Sequence, residues 1–188
     1  MQAQQKTAEK WKNKQWFNVY APKLLGEGSI GEVPAADDNA VVGRVISVNL
    51  SWITQNPQHS FMSIVLKINE ANGNVAHTVI KRLELVNSYV HSLTRKYSSV
   101  IYTVDRLADK NGKGIVLKLI AITRGRITTP KKKAIRKELQ TYAKEYLSKA
   151  DTDSFINDII AGNFQSGGMN RVKNIAQLSR LEVRKVEF

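Results

Sequence analysis

The chain has 188 residues, 29 of them Lys or Arg against 16 Asp or Glu, so its formal net charge is +13 and its sequence pI about 10.0, within the range of nucleic-acid-binding domains. A hydrophobic content of 42% excludes wholesale disorder; no apolar run is long enough to span a bilayer and no apolar signal region follows the first lysines, so a soluble, intracellular protein is expected. The absence of cysteine excludes disulfides and thiolate metal sites and suits a reducing compartment.

In chain order, residues 1–14 read as a polar, basic arm, with Lys6, Lys10, Lys12 and Lys14 against the single acid Glu9, and 15–188 as one domain. Gln15 to Tyr20 predicts a strand, with Trp16, Val19 and Tyr20 of the β-favouring type, interrupted at Pro22. The glycines, Pro34 and the Asp37-Asp38-Asn39 cluster predict a long loop over 26–39, after which 40–50 resumes strand character. Residues 61–69 and 75–80 predict a hairpin about Asn72-Gly73, where positive φ suits a tight turn. Val86, Tyr89, Val90 and Leu93 fall at helical spacing and predict a helix over 84–96, its last turn completed by Arg95 and Lys96.

A second hairpin, 99–108 with 113–123, turns at Asp109-Lys110-Asn111-Gly112, and its second strand is apolar enough for the centre of a sheet. Ile135, Leu139, Tyr142, Ala143 and Tyr146 predict a helix over 131–147. A shorter helix over 151–163, a flexible break at 165–168, a last helix over 169–178 and a closing strand over 181–188 complete the chain. Hairpin-joined strands followed by grouped helices predict an α+β fold, its antiparallel sheet closed into a barrel that hides its edges.

The densest chemistry lies from Thr123 to Lys137, which holds Arg124, Arg126, Lys131, Lys132, Lys133, Arg136 and Lys137 and no acid. In a neutral protein such a run reads as a solvated loop. Here the excess is chain-wide, and cations in a first helical turn, where the dipole prefers anions, are a local conflict of the kind that marks function. A phosphate backbone is the partner that resolves it. Trp11 among the arm lysines forms an aromatic-basic interleave suited to base stacking; Trp16 reads equally as core, and Trp52 is a third aromatic of this kind.

Other motifs carry less. Gly26-Glu27-Gly28-Ser29-Ile30-Gly31 matches a dinucleotide fingerprint literally, but no helix is predicted to start at the third glycine, and Glu27 would stand among phosphates. Glu32 occupies the place of a P-loop lysine. His59, His77 and His91 lack metal-site spacing. Carboxylates such as Asp105 and Glu70 are capable of pairing across strands for acid-base work, but most carboxylates in so basic a chain serve as salt-bridge partners.

Trp11-Lys12, Trp16 to Pro22, Ile30-Gly31-Glu32 and Gly43-Arg44 resemble the opening of the archaeal and eukaryotic S-one-e (S-three-Ae) family of small-ribosomal-subunit proteins. Glu84-Leu85, Tyr89, Ser92-Leu93, the Lys110-Asn111-Gly112 turn, Thr129, Lys133 to Lys137 and Val183-Arg184-Lys185 continue the family order across 10–188. Ile175 to Leu178 departs from it in lacking a proline, and neither terminus carries the lysine-rich tail of eukaryotic members, which favours the archaeal type.

The resemblance implies a β-barrel with appended helices on the platform of the small subunit, near the mRNA exit. It implies a structural, non-enzymatic role without cofactor or small-molecule substrate, located in the cytoplasm. The implied partners are 16S-type rRNA and neighbouring ribosomal proteins, with mRNA close by at the exit. The RNA contacts expected are the seven junction cations, Lys10, Trp11, Lys12 and Lys14 of the arm, Arg171 and Lys173 on the last helix, and Arg184 and Lys185 on the closing strand. A free-standing RNA-binding or assembly factor is the alternative; an RNA-modifying enzyme would need a convergent polar pocket that the residues do not advertise.

Overall fold

A computed structural model describes residues 14–188. The chain clusters into two compact units, the first ending at Lys81 and the second comprising Arg82–Phe188; the fold class is mixed α+β.

In the first unit, β1 (Gln15–Tyr20) returns through a 3-10 turn at Lys23–Leu25 into β2 (Ser29–Ala35), with Phe17 opposite Val33. A short helix α1 (Asp38–Val41) leads to β3 (Val45–Asn49), which runs directly into α2 (Leu50–Thr54). β3 pairs antiparallel with β4 (Met62–Asn72), which turns at Gly73, φ +60°, into β5 (Val75–Leu85). β5 lies parallel to β1 at 75–77, giving the order β2-β1-β5-β4-β3. Period-2 alternation sends Phe17 and Val19 inward, where Ala35, Val41, Ile68 and Ala76 complete the core.

Two expectations change here. The loop over 26–39 contains β2, paired along its length with β1. Pro34, which argued against a strand, is tolerated because β2 is an edge and Pro lacks only the donor that such an edge leaves unused. The strand over 40–50 is β3 flanked by two helical turns, α1 and α2.

In the second unit, β5 continues to Leu85 and is followed by α3 (Asn87–Leu93), shorter at both ends than the 84–96 predicted. β6 (Val100–Ala108) and β7 (Gly114–Thr123) form the expected hairpin, in register from Val100 with Ile122 to Ala108 with Gly114. Its turn is locked by Asp109, whose Oδ1 accepts from the backbone N–H of Asn111 at 2.9 Å and of Lys113 at 2.8 Å while Oδ2 accepts from Thr152 Oγ1 at 2.6 Å. β7 is the apolar central strand, flanked by β6 and by β8 (Leu178–Glu187), and β8 pairs with residues 82–84 of β5.

Three helices cover this sheet: α4 (Thr129–Leu147), α5 (Thr152–Ala161) and α6 (Asn163–Val172). α4 buries Ile135, Leu139, Ala143 and Leu147 at four-residue spacing. Tyr142 and Tyr146 of α4 meet Phe155 and Phe164 in an aromatic cluster with centroids 5.2 to 6.1 Å apart. The break predicted at 165–168 is helical, and the helix predicted over 169–178 ends at Val172.

The barrel expected from the sequence does not form. Closure requires every edge strand to find a partner, and among the described residues the ladders end at β2 and β3 in the first unit and at β6 in the second. β5 gives three residues to β1 and three to β8, which splits its pairing rather than completing a ring.

Candidate nucleic-acid interface

The cationic stretch lies where β7 hands over to α4, and short-range hydrogen bonds fix it. Ser99 and Thr123 are both buried. Thr123 N–H donates to Ser99 O at 3.0 Å, Ser99 N–H to Thr123 Oγ1 at 3.0 Å, and Thr123 Oγ1 to Gly125 O at 2.6 Å. Ser99 Oγ then accepts from Ile127 N–H at 3.3 Å, and Arg124 N–H donates to Gln177 O at 3.2 Å. Backbone groups that water would otherwise serve are thereby paired inside the protein, so the 124–127 loop is held at both ends while its side chains face outward.

The helix start adds to the positive field. Thr128 makes no side-chain cap, Pro130 brings no N–H, and the intrahelical ladder begins with Lys132 N–H donating to Thr128 O at 3.1 Å. The dipole end and the first-turn lysines therefore present the same sign of charge to the same solvent. Arg124, Arg126, Lys131, Lys133, Arg136 and Lys137 are exposed and Lys132 half-buried. Among the described residues the ion pairs join Arg82 to Glu84, Arg171 to Glu138 and Glu145, Arg180 to Glu182, and Lys185 to Glu187; none involves the seven junction cations.

The remaining expected contacts divide. Arg171 is held by α4, its Nε donating to Glu138 Oε1 at 2.6 Å, and that bond with the nearby Glu145 charge raises its pKa further. Lys185 is paired with Glu187, whose carboxyl it pulls below the usual range. Arg184 sits over the Tyr102 ring at 5.6 Å, and Lys173 is exposed just past α6. Lys14 is half-buried at the start of the described chain, whereas Lys10, Trp11 and Lys12 lie outside the described residues. Trp16 and Trp52 belong to the first unit, both exposed.

Three residues relevant to this surface escaped the sequence reading. Lys144 shares the outward face of α4 with Lys133 and Lys137, opposite Ile135, Leu139 and Ala143. Tyr97 carries Lys96 Nζ at 5.3 Å and Arg126 Cζ at 5.4 Å from its ring centroid. Lys96 is free to do so because α3 stops at Leu93, so it does not close a helix as predicted. The basic-aromatic run Arg95-Lys96-Tyr97 was the available signal. Ser99 is the third, and nothing local in the sequence distinguishes it.

Other chemistry is not assembled. Asp105 lies on β6, opposite Leu117 and bonded to Gln140, whereas Glu70 lies on β4, whose neighbours are β3 and β5, so the two do not face across a ladder. Gly31 falls inside β2 rather than at a helix start, and His59 Nδ1 is bonded to Thr54 Oγ1 at 2.8 Å. No helix among the described residues is long and apolar enough to cross a membrane.

Fold and surface together define a basic α+β protein whose cationic junction is hydrogen-bonded in place and, among the described residues, makes no ion pair. The family model described as the Ribosomal S3Ae family matches residues 2–188, and the chain belongs to that family. It is 33% identical over 177 residues to the small ribosomal subunit protein eS1 of Pyrobaculum neutrophilum, covering 94% of this chain and 80% of that protein. The protein of the same name from Archaeoglobus fulgidus is 30% identical over 182 residues, 96% of this chain and 86% of its own. That of Sulfolobus acidocaldarius is 31% identical over 181 residues, 96% and 92%.

Proposed function

We propose that this chain is a structural constituent of the small ribosomal subunit and binds 16S-type rRNA through the β7–α4 junction. The observation that carries the reading is the set of seven cations, without carboxylate partners among the described residues, on the loop clamped by Ser99 and Thr123 and on the first turns of α4 that follow it. Family membership, and relatives that are small ribosomal subunit proteins, support the assembly it joins.

The mechanism is electrostatic and geometric. The junction cations replace counterions condensed along the RNA phosphates, and the entropy of the ions' release drives binding. Folded RNA is recognised by shape and backbone position more than by base sequence. Lys173, Arg184 and the arm with Lys10, Trp11, Lys12 and Lys14 extend the contact. The position is the platform near the mRNA exit, beside neighbouring ribosomal proteins, in the cytoplasm, and the role is structural rather than catalytic.

Sucrose-gradient sedimentation of cell extracts tests this directly. The full chain is expected to travel with small subunits, and crosslinks from the junction are expected on rRNA. A chain found chiefly outside subunits would instead be a free-standing RNA-binding or assembly factor.

A further inference from the structure

We infer that Tyr97 is a stacking platform for an unpaired RNA base, with Arg126 and Lys96 as partners for the phosphates of that nucleotide and its neighbours; this rests on the RNA-binding reading above. Tyr97 is 61% exposed and has φ +69°, a left-handed conformation disfavoured for any residue with a Cβ and tolerated mainly by Gly, Asn and Asp. An exposed aromatic in such a conformation gains no core burial to offset it, and its surroundings hold it there. Ser98 Oγ donates to Arg95 O at 2.7 Å and accepts from Arg95 N–H at 3.3 Å, and Ser98 N–H donates to Arg95 O at 3.1 Å.

Ser99, two residues after Tyr97, is one half of the buried clamp that also fixes the loop bearing Arg126. One set of hydrogen bonds therefore positions both the ring and a cation beside it. Lys96 Nζ and Arg126 Cζ lie within cation–π distance of the ring, 5.3 and 5.4 Å from its centroid, and neither forms an ion pair among the described residues. Phosphate neutralisation alone would need only the cations. A largely exposed ring held among them adds the sequence-tolerant stacking by which single-stranded RNA is held, a base taking the place of a cation on the ring.

The test uses full-length protein, wild type and the variants Tyr97→Phe and Tyr97→Gly. Glycine adopts positive φ without strain, so the second variant removes the ring while keeping the turn. Binding is measured to a single-stranded oligoadenylate and to a fully paired RNA duplex of equal length. Tyr97→Gly is expected to lose about 5- to 150-fold in affinity for the single strand, the range of one stacked base. Its duplex affinity and salt slope stay unchanged, and Tyr97→Phe binds as wild type.

Wild-type affinity for the single strand in Tyr97→Gly, or an equal loss on both RNAs, would overturn the stacking role. So would Tyr97→Phe as weak as Tyr97→Gly, which would assign the effect to the hydroxyl. Failure of wild type to bind either RNA with a salt-dependent affinity would overturn the RNA-binding reading itself, and the stacking role with it.

Discussion

Ser99 and Thr123 hold each other through reciprocal hydrogen bonds, each backbone N–H donating at 3.0 Å to an oxygen of the other residue, the carbonyl of Ser99 and the hydroxyl of Thr123. Because both are buried, losing the Thr123 hydroxyl strands the Ser99 N–H away from water. Thr123→Val keeps the shape and removes that acceptor, so it is expected to cost about 1–3 kcal/mol of stability, read as a lowered urea midpoint. It also frees Gly125 O and loosens the loop that carries Arg124 and Arg126. An unchanged midpoint would show that the clamp contributes nothing.

Replacing Lys131, Lys132 and Lys133 together with Ala should weaken rRNA binding and flatten its log-log salt slope by about 2–3, as three phosphate contacts are lost. The same change should raise the stability of the free protein at low salt by roughly 0.3–1 kcal/mol per lysine, because those charges oppose the helix dipole. Filter binding across a salt series and thermal melts separate the two effects. Arg171→Ala is the contrast: its guanidinium is engaged by Glu138 and Glu145, so the salt slope should stay put.

Acid should favour the folded state at two carboxyls. Burial pushes Asp105 up, against the Gln140 hydrogen bond, and its Oδ2 finds no partner among the described residues. Glu182 is likewise raised by burial, against Arg180 and the Tyr89 hydroxyl. A folded-state pKa above the unfolded one means that the stabilisation is complete below the unfolded value and is lost as pH climbs through the folded value. Asp105→Asn should therefore melt higher than wild type at about pH 7, with the difference shrinking toward about pH 4. A constant difference across that range would contradict it.

Gly168 sits inside α6, where an added Cβ would come 2.5 Å from Leu181 Cδ2 and 3.3 Å from Tyr142 Cε1. Gly168→Ala should cost about 1–3 kcal/mol by overpacking, which outweighs the gain of up to about 1 kcal/mol from better helix propensity. Chemical denaturation of the variant decides the sign.

That glycine also explains one way in which the sequence misled. Gln165-Ser166-Gly167-Gly168 reads as a break because glycine disfavours helix, yet here it marks a helix pressed against Tyr142 and Leu181, a requirement visible only in three dimensions. β2 was hidden likewise by Gly31 and Pro34, residues that an edge strand tolerates and a central one does not. The β6–β7 hairpin and α4 were legible because their signals are local: a turn at Asp109 to Gly112 and apolar residues at helical spacing.

The same division applies to the candidate site. Lys131, Lys132, Lys133 and their neighbours stand out as charge, so the junction could be read directly. The commitment of Arg171 to Glu138 is a tertiary fact that composition cannot carry, whereas Lys185 and Glu187 stand two apart on one face of β8, a local pair that the strand period could have shown. Tyr97 escaped because a helix drawn through Lys96 left no reason to weigh the aromatic beyond it. Barrel closure failed as an expectation because it depends on edges meeting far apart in sequence.

The uncapped start of α4, with three lysines crowded onto the positive end of its dipole, makes salt act in opposite senses on the two states of this protein. Added ions quiet the internal repulsion and steady the lone polypeptide, while on the proposed role the same ions compete for RNA and release it. On the proposed RNA-binding role the unbound chain is thus the strained form, and docking relieves it.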